Sequence, residues 1–203
     1  MRNRLLLMQT KSCVVGIAGG TASGKTSLTR TLKQFLGEQP TSPRVDMLSV
    51  DAFFHANKTL GPTFVSPTSG EELFNFNHPD AIDQQKLLAS IASQVTAEGS
   101  PTILLVEGLM VLHIPEVRAM LDVRVFVELE ADKRALRRLL RDMKGGRGST
   151  DPEWIATYYL ESARVGHDLF IEPSRVHADF IIRGDADFSR LVPLLAAAIE
   201  STI

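Results

Sequence analysis

Cysteine, tryptophan and tyrosine are scarce in this sequence: its 203 residues include one cysteine, one tryptophan and two tyrosines. A single cysteine, Cys13, excludes an internal disulfide and is typical of a reducing compartment. Nucleic-acid-binding proteins usually carry a basic surface and aromatic platforms, whereas the formal net charge here is −2. We therefore expect no nucleic-acid partner.

Long hydrophobic runs are missing as well. The run from Leu5 to Met8 is shorter than the roughly 7–15 apolar residues of a secretory signal, and no run approaches the roughly 20 residues that span a bilayer. We expect a cytoplasmic protein without a membrane partner, folded as a single domain over residues 1–203 with an N-terminal tail at 1–12. The sequence leaves open whether the chain forms a homo-oligomer.

Short apolar stretches alternate with amphipathic ones along the chain. Buried strands are predicted at 13–19, 44–51, 102–108, 123–129 and 177–184. Helices are predicted between them, including one from Pro79 or Asp80 to Glu98 and another over 152–169. Turn signals at glycine and proline predict that residues 55–79 are irregular. This alternation is typical of an α/β fold with a mainly parallel sheet, in which ligands bind at the carboxyl ends of the strands.

The first predicted strand leads into a glycine-rich turn that matches the P-loop pattern, Gly19-x4-Gly24-Lys25-Thr26. Glycines allow the turn to point its amide groups at phosphate oxygens, the lysine adds a fixed positive charge, and the threonine hydroxyl can ligate Mg²⁺. We therefore predict a binding site for a nucleoside triphosphate and Mg²⁺, with ATP as the expected nucleotide and GTP left open. Its predicted residues are Gly19, Gly20, Thr21, Ala22, Ser23, Gly24, Lys25, Thr26 and Ser27.

Two large classes of P-loop protein lack their second motif here. A switch GTPase needs N-K-x-D, but Asn57-Lys58 is followed by Thr59 and Leu60, and the L-S-G-G-Q signature of ABC ATPases does not occur. A compact kinase for a small acceptor remains, and so does a non-catalytic NTP-binding regulator.

A strongly basic helix is predicted after the fourth strand, with Arg134, Arg138 and Arg141 at spacings of four and three residues. A basic helical face alone is usually solvated surface. This one precedes the glycine-rich stretch around Arg147, which together with the helix predicts a mobile lid at about 134–152. Closure of such a lid would bring Arg138, Arg141 and Arg147 to the phosphates.

Several motifs stand in the order found in the uridine kinase family, which the chain resembles over roughly residues 13–190. They are GIAGGTASGKTSL, SVDAFF, FNFNHPDAID, ILLVEGL, RRLLRDMKGGRG and ADFIIRGDAD. The resemblance extends to phosphoribulokinases, nicotinamide riboside kinases and pantothenate kinases. It implies a P-loop NTPase-type three-layer sandwich with a five-stranded sheet and a lid. It also implies ATP-dependent phosphorylation of a primary hydroxyl, with uridine or cytidine as the first expectation.

The resemblance assigns roles to two carboxylates. Asp51 would take the proton of the attacking hydroxyl and help to hold the metal together with Thr26, and Glu107 would be the acidic residue of the E-G pair near Mg²⁺. A carboxylate at the end of an apolar strand needs a partner in any case. A helix cap is the alternative for Asp51, and a salt bridge or a cap for Glu107.

The acceptor site implied by the resemblance comprises Asp51, Phe54, Phe76, Asn77, His78 and Arg138. For Phe76 and His78, a place in the core or in a structural hydrogen bond is an equally good interpretation.

Three features depart from the family pattern: Asn77 replaces an aspartate, Phe54 replaces a frequent tyrosine, and the hairpin that contacts the pyrimidine is absent between Glu98 and Thr102. Nicotinamide riboside, pantothenate or a sugar acid are therefore alternative acceptors, and segment 55–74 could form the acceptor wall.

Overall fold

The structure, a computed structural model, describes residues 12–38, 43–96, 102–145 and 149–203, and only the backbone of Lys58. Its strands are β1 (Cys13–Gly19), β2 (Val45–Ser49), β3 (Thr63–Val65), β4 (Glu72–Phe74), β5 (Ile103–Glu107), β6 (Val123–Glu128) and β7 (Phe180–Arg183). Its α-helices are α1 (Lys25–Gly37), α2 (Gln84–Thr96), α3 (Pro115–Arg118), α4 (Ala131–Asp142), α5 (Pro152–Tyr158), α6 (Arg164–Gly166), α7 (Glu172–Ser174) and α8 (Phe188–Glu200). Within the described ranges, no helix combines the length and apolar composition that crossing a bilayer requires.

A five-stranded parallel sheet in the order β2-β5-β1-β6-β7 forms the centre of the molecule. Every residue of β1 is buried, because helices cover both faces of the sheet. Val15 and Ile17 pack with residues of α1 and α8, whereas Val14 and Ala18 pack on the opposite face with residues of α2 and α3. The predicted α/β fold with a mainly parallel five-stranded sheet is confirmed.

The segment at 55–79 is more regular than predicted. Strands β3 and β4 pair in antiparallel fashion, with Thr63 opposite Phe74 and Val65 opposite Glu72. The prediction of an irregular segment is therefore wrong for these residues. Each strand has only three residues and β3 is largely exposed, so no alternating pattern long enough to detect was present.

Two predicted helices also have different limits. A 3₁₀ turn at Pro79–Ala81 precedes α2, which begins only at Gln84, and residues 97–101 lie outside the described ranges. The helix predicted at 152–169 continues instead through α5, α6 and α7 to a 3₁₀ turn at Arg175–His177. Two π-helical turns, Tyr159–Ala163 and His167–Ile171, interrupt it, and they change the register of the side chains along it.

Strand register brings the carboxyl ends of three strands together. Glu107 at the end of β5 is level with Ser49 of β2 and with Ile17 of β1, two residues before the P-loop begins. Because the strands are parallel, the loops that follow them all emerge at this edge of the sheet. The candidate site lies there.

Candidate active site

The P-loop between β1 and α1 has the backbone conformation that its glycines were expected to provide. Gly19 has φ of +142° and Gly24 has φ of +107°, both values that favour glycine. A Cβ atom at Gly19 would overlap the main-chain oxygen of Val127 on β6. Ala22 also has a positive φ, of 57°, which concentrates unusual backbone geometry in this short turn.

Lys25 is 8% exposed and its Nζ donates a hydrogen bond to the carbonyl oxygen of Gly20 at 3.0 Å. The ammonium group is thus folded over the loop. Ser23, at the centre of the loop, is fully buried. Packing from below supports the loop at Gly20, where an added Cβ would lie 2.7 Å from a guanidinium nitrogen of Arg134.

A cavity of about 600 Å³ opens above the P-loop, and we call it the donor cavity. Nine of the predicted site residues line it: Thr21, Ala22, Gly24, Lys25, Thr26, Ser27, Asp51, Glu107 and Arg141. Five further residues complete the lining: Arg30, Leu109, Arg137, Gly184 and Phe188. Gly19, Gly20 and Ser23 shape the loop without lining the cavity, and Arg147 lies outside the described residues.

Glu107 is 5% exposed and is oriented by two hydroxyl groups. Its carboxylate accepts hydrogen bonds from Ser49 Oγ at 3.0 Å and from Thr26 Oγ1 at 3.3 Å. Among the residues that the structure describes, its hydrogen-bond partners are these two hydroxyls, and no salt bridge or helix cap involves it. Thr26, Glu107 and Asp51 therefore supply oxygen atoms to one cavity, which is the ligand type that Mg²⁺ prefers.

The fit to a metal depends on the nucleotide. In the described parts of the chain, no three His, Cys, Asp or Glu side chains converge into a metal site. Two carboxylates and one hydroxyl suit Mg²⁺, which is usually bound by one or two carboxylates together with phosphate oxygens and water. The residues present thus fit an ion that arrives with a nucleotide.

A second cavity of about 470 Å³, here called the acceptor cavity, adjoins the first. The residues that line it are Thr21, Asp51, Phe54, Phe76, Asn77, Leu109, Arg138, Arg141, Trp154 and Tyr158. Four residues line both cavities: Thr21, Asp51, Leu109 and Arg141. Asp51 lies in the 3₁₀ turn Val50–Phe53 directly after β2, with Ser49 as the cap of that turn.

Asn77 is 3% exposed, and a chain of hydrogen bonds fixes the orientation of its amide. Ser162 Oγ donates to Asn75 Oδ1 at 3.0 Å, so the same hydroxyl must accept from Asn77 Nδ2, at 2.9 Å. This directs the amide nitrogen of Asn77 toward Ser162. Gly166 lies against the backbone of Asn77, where a Cβ atom would overlap the main-chain oxygen.

Aromatic rings from distant segments meet beside the acceptor cavity. Trp154 stacks on Tyr158 with ring centroids 5.1 Å apart and an angle of 16° between the planes. Phe76 contacts Phe54 and Phe74 edge to face, at 5.1 Å and 4.6 Å. The Tyr158 hydroxyl donates to the carbonyl oxygen of Phe74 at 2.9 Å and so links α5 to β4.

The arginines of α4 point in several directions. Arg134 is 2% exposed, and its Nε donates to the carbonyl oxygen of Leu129 at 3.0 Å. The solvated interpretation of this basic face is therefore wrong at Arg134. Arg137 donates to the carbonyl oxygen of Gly184 at 2.9 Å on the donor side.

Asp142 on the same helix is buried and lies between the other two arginines. Arg138 forms an ion pair with it at 3.4 Å and places its guanidinium carbon 5.4 Å from the centre of the Tyr158 ring. Arg141 Nε donates to the same carboxylate at 2.7 Å. The predicted lid at 134–152 thus comprises most of α4, the start of α5 and residues 146–148 outside the described ranges.

His167 stands behind the P-loop in the second π-helical turn. Burial first, and then the positive charges of Arg134 and Lys25, lower the pKa of His167 to about 4, against an opposing effect of Asp168. The imidazole is therefore neutral near pH 7. Its Nε2 lies 3.3 Å from a carboxylate oxygen of Glu172.

His78, predicted for the acceptor site, lies elsewhere. Its Nδ1 accepts a hydrogen bond from the backbone of Asp80 at 3.2 Å, and its ring packs against Phe170. It lines neither the donor nor the acceptor cavity. These contacts fit the structural interpretation of His78.

Sequence reasoning missed the residues that reach the cavities from far along the chain. Trp154 and Tyr158 follow the predicted lid, and Gly184 and Phe188 follow β7. The aromatic residues at 154 and 158 are four apart and so share one helical face, which was a usable signal. Nothing in the sequence indicated that this face would meet β4.

Comparisons with known proteins find relatives in sequence and in fold. A sequence model of the phosphoribulokinase / uridine kinase family matches residues 89–187. The uridine kinase of Listeria innocua serovar 6a is 30% identical, and the alignment covers 97% of this chain and 98% of that protein. The uridine kinase of Chlamydia pneumoniae is 29% identical over 93% of this chain and 89% of its own length.

Two solved structures share the fold. One, described as a fructose transport system kinase from Silicibacter sp. TM1040, has a TM-score of 0.61 and 20% identity, with 89% of this chain and 92% of that chain covered. The other, described as a possible uridine kinase from Bacillus stearothermophilus, has a TM-score of 0.55 and 16% identity, with 85% and 89% covered. With its P-loop, its parallel sheet and a 30% identical relative aligned almost from end to end, the chain belongs to the phosphoribulokinase / uridine kinase family of P-loop kinases.

Proposed function

We propose that the protein transfers the terminal phosphoryl group of ATP to the primary hydroxyl of a nucleoside, with uridine and cytidine as the first candidates. The observation that carries the proposal is the junction of two cavities at Asp51 and Arg141. A phosphoryl donor in one cavity and an alcohol in the other would meet at a carboxylate and a guanidinium. The curated relatives named as uridine kinases support the nucleoside.

The donor side holds the triphosphate chiefly through the main chain. Amides of the P-loop and the positive end of α1 bind phosphate oxygens, and Lys25 adds a charge on the outer phosphates. Thr26, Asp51 and Glu107 would hold Mg²⁺, which supplies charge neutralisation between the phosphates. Phe188, Arg137 and Gly184 flank the cavity beyond the loop and are in place to contact the nucleoside part of ATP.

The acceptor side orients the hydroxyl. Asp51 accepts its proton as the bond forms between the acceptor oxygen and the terminal phosphorus. The bond from that phosphorus to the bridging oxygen breaks, and ADP leaves. Arg141 and Arg138 stabilise the charge on the phosphoryl oxygens during transfer, because the transition state is loose and needs positioning more than covalent chemistry.

A sugar or a related small alcohol is a second candidate acceptor. Asn77 provides no charge to hold two ribose hydroxyls, and aromatic rings line much of the acceptor cavity. A structural neighbour is described as a fructose transport system kinase. Nicotinamide riboside, pantothenate and sugar acids belong to the same test.

The test is an ADP-release assay with the purified protein, ATP and Mg²⁺ over nucleosides, nicotinamide riboside, pantothenate, fructose and small sugar acids. We expect the nucleosides, with uridine and cytidine tested first, to give the highest kcat/KM, and Asp51→Asn to lower the rate by roughly 100- to 10,000-fold. ADP release that does not depend on any acceptor, or that survives Asp51→Asn, would contradict the proposal. ATP binding without turnover on any acceptor would favour the non-catalytic regulator.

A further inference from the structure

The acceptor cavity has an aromatic wall whose polar atoms are used within the protein. The rings that line it are Phe54, Phe76, Trp154 and Tyr158. Phe54 and Phe76 have no polar side-chain atom. The Tyr158 hydroxyl is already used, because it donates to the carbonyl oxygen of Phe74 at 2.9 Å. The same hydroxyl accepts from the amide of Phe76 at 3.4 Å. The wall can therefore stack a flat ring but has few groups with which to read its edge.

The polar residues of this cavity lie where the transfer takes place. Thr21, Asp51 and Arg141 also line the donor cavity, so they belong to the end where the hydroxyl meets the phosphate. Arg138 is paired with Asp142 at 3.4 Å and covers the Tyr158 ring. Asn77 has its amide nitrogen fixed on Ser162. Among the described lining residues, this leaves one acceptor, Asn77 Oδ1, and one donor, the indole N–H of Trp154, on separate side chains, which is less than the paired groups that discriminate one base edge from another.

Trp154 is the ring best placed to make the stack. One of its faces lies on Tyr158, 38% of the residue is exposed, and the residue lines the cavity. Tyr158 cannot turn away, because its hydroxyl is tied to β4 and its ring is packed against Phe64 at 5.8 Å and Arg138 at 5.4 Å. The indole thus has a fixed support, which lowers the entropy lost when a ligand stacks on it.

From this arrangement, and resting on the proposed nucleoside kinase function, we propose that the enzyme holds the base by stacking on Trp154 and does not read the base edge. Every nucleobase has a flat π face, whereas discrimination between bases requires buried hydrogen-bonding groups. Purine and pyrimidine nucleosides are then phosphorylated with similar efficiency. An acceptor that has the ribose but no ring is a poor substrate.

The experiment compares kcat/KM for uridine, cytidine, adenosine, guanosine and D-ribose in the wild type. We expect the four nucleosides to agree within about tenfold and ribose to be about 5- to 150-fold worse, since one stacked base contributes roughly 1–3 kcal/mol. A preference of 100-fold or more for pyrimidines overturns the inference but leaves the nucleoside kinase proposal intact. Ribose used as well as uridine also overturns it. Turnover of none of the nucleosides contradicts the proposed function itself.

Variants identify the stacking ring. Trp154→Ala should lower kcat/KM for all four nucleosides by a similar factor, about 10- to 100-fold, while the ribose value and the Kd for ATP stay within twofold. Trp154→Phe should restore most of the loss, since a ring returns. Leu160→Ala, at an exposed apolar position that lines neither cavity, is the matched control and should change nothing. A loss at Trp154→Ala that is equally large for ribose, or that changes the ratio between bases, overturns the inference.

Discussion

The donor and acceptor cavities adjoin each other and share Asp51, yet they are built in different ways. The donor cavity takes six of its lining residues from Thr21–Ser27, a single turn that holds main-chain amides and one lysine. The acceptor cavity collects its wall from residues as far apart as Phe54 and Tyr158, and holds it together by contacts between side chains. A phosphate site can be encoded by a short stretch of sequence, because the groups that bind the phosphate are consecutive backbone amides. A site for an organic acceptor depends on how separate elements pack.

The largest effect should come from the donor side. Lys25→Ala removes the fixed charge beside the outer phosphates, and we expect kcat to fall by about 1,000-fold or more. A coupled ADP-release assay measures this. Lys86→Ala, at an exposed lysine on α2, is the control and should retain wild-type activity. Substantial residual turnover in Lys25→Ala would contradict a donor site at the P-loop.

Asp51→Asn tests the residue that the two cavities share. Loss of the carboxylate should cut kcat by roughly 100- to 10,000-fold, because proton acceptance by a placed base typically contributes that much. Affinity for ATP, measured by calorimetry, should change by only a few fold. If nucleotide affinity collapses while acceptor turnover survives, Asp51 belongs to the donor side alone.

Arg141→Ala separates a role in phosphoryl transfer from a role in nucleotide binding, because Arg141 lines both cavities. We expect kcat to fall by about 100-fold, with a smaller loss in nucleotide affinity, since the guanidinium acts on the charge of the transferring group. Single-turnover kinetics and nucleotide binding are compared in the same variant. Equal losses in both would identify a simple binding arginine.

Gly166→Ala should weaken binding of the acceptor and leave binding of ATP largely unchanged. An added Cβ would overlap the main-chain oxygen of Asn77, so either the helix or the Asn77 loop must move. We expect a loss of about 1–3 kcal/mol in the free energy of unfolding and a roughly tenfold rise in acceptor KM. Gly37→Ala is the matched control, because nothing lies within 4 Å of its added Cβ atom. A rise in the KM for ATP as large as that for the acceptor would contradict the assignment.

The smallest effect on activity is expected at His167, whose titration concerns the pH dependence of stability. Its pKa is about 4 in the folded protein and 6.5 without burial, so the unfolded chain binds more protons between these values. The free energy of unfolding should therefore decrease as pH falls from 6.5 toward 4.

His167→Gln removes this titration, so its melting temperature should fall less steeply over that pH range than the wild type's. Calorimetric scans of both proteins at pH 7, 6, 5 and 4.5 measure the difference. Parallel curves would show that His167 does not contribute to the acid destabilisation.

Helix α4 shows where patterns in the sequence stop being informative. Its leucines and arginines separate cleanly, which predicts an apolar face turned inward and a basic face in water. In the structure Leu136 and Leu140 are exposed, whereas Arg134 and Asp142 are buried. The buried charges are accommodated because Arg134 reaches the carbonyl of Leu129 and Asp142 meets two arginines. An amphipathic pattern shows that a helix has two different faces, but it does not show which face packs against the rest of the protein.

The P-loop side of the candidate site can be predicted from the sequence alone. Gly19 to Ser27, the strand before them and the helix after them are contiguous, so their geometry follows from local backbone preferences and the charge of one lysine. The sequence also predicted that Asp51 and Glu107 lie at strand ends, which parallel pairing brings to one edge of the sheet.

The second cavity, proposed for the acceptor, depends on packing that no sequence pattern revealed. Four features depend on packing between separate segments. They are the pairing of β3 with β4, the stacking of Trp154 on Tyr158, the structural hydrogen bond of His78 and the burial of Arg134. Such contacts form because burial of apolar surface and pairing of buried polar groups are satisfied jointly across the whole fold, and no short window of sequence contains both partners.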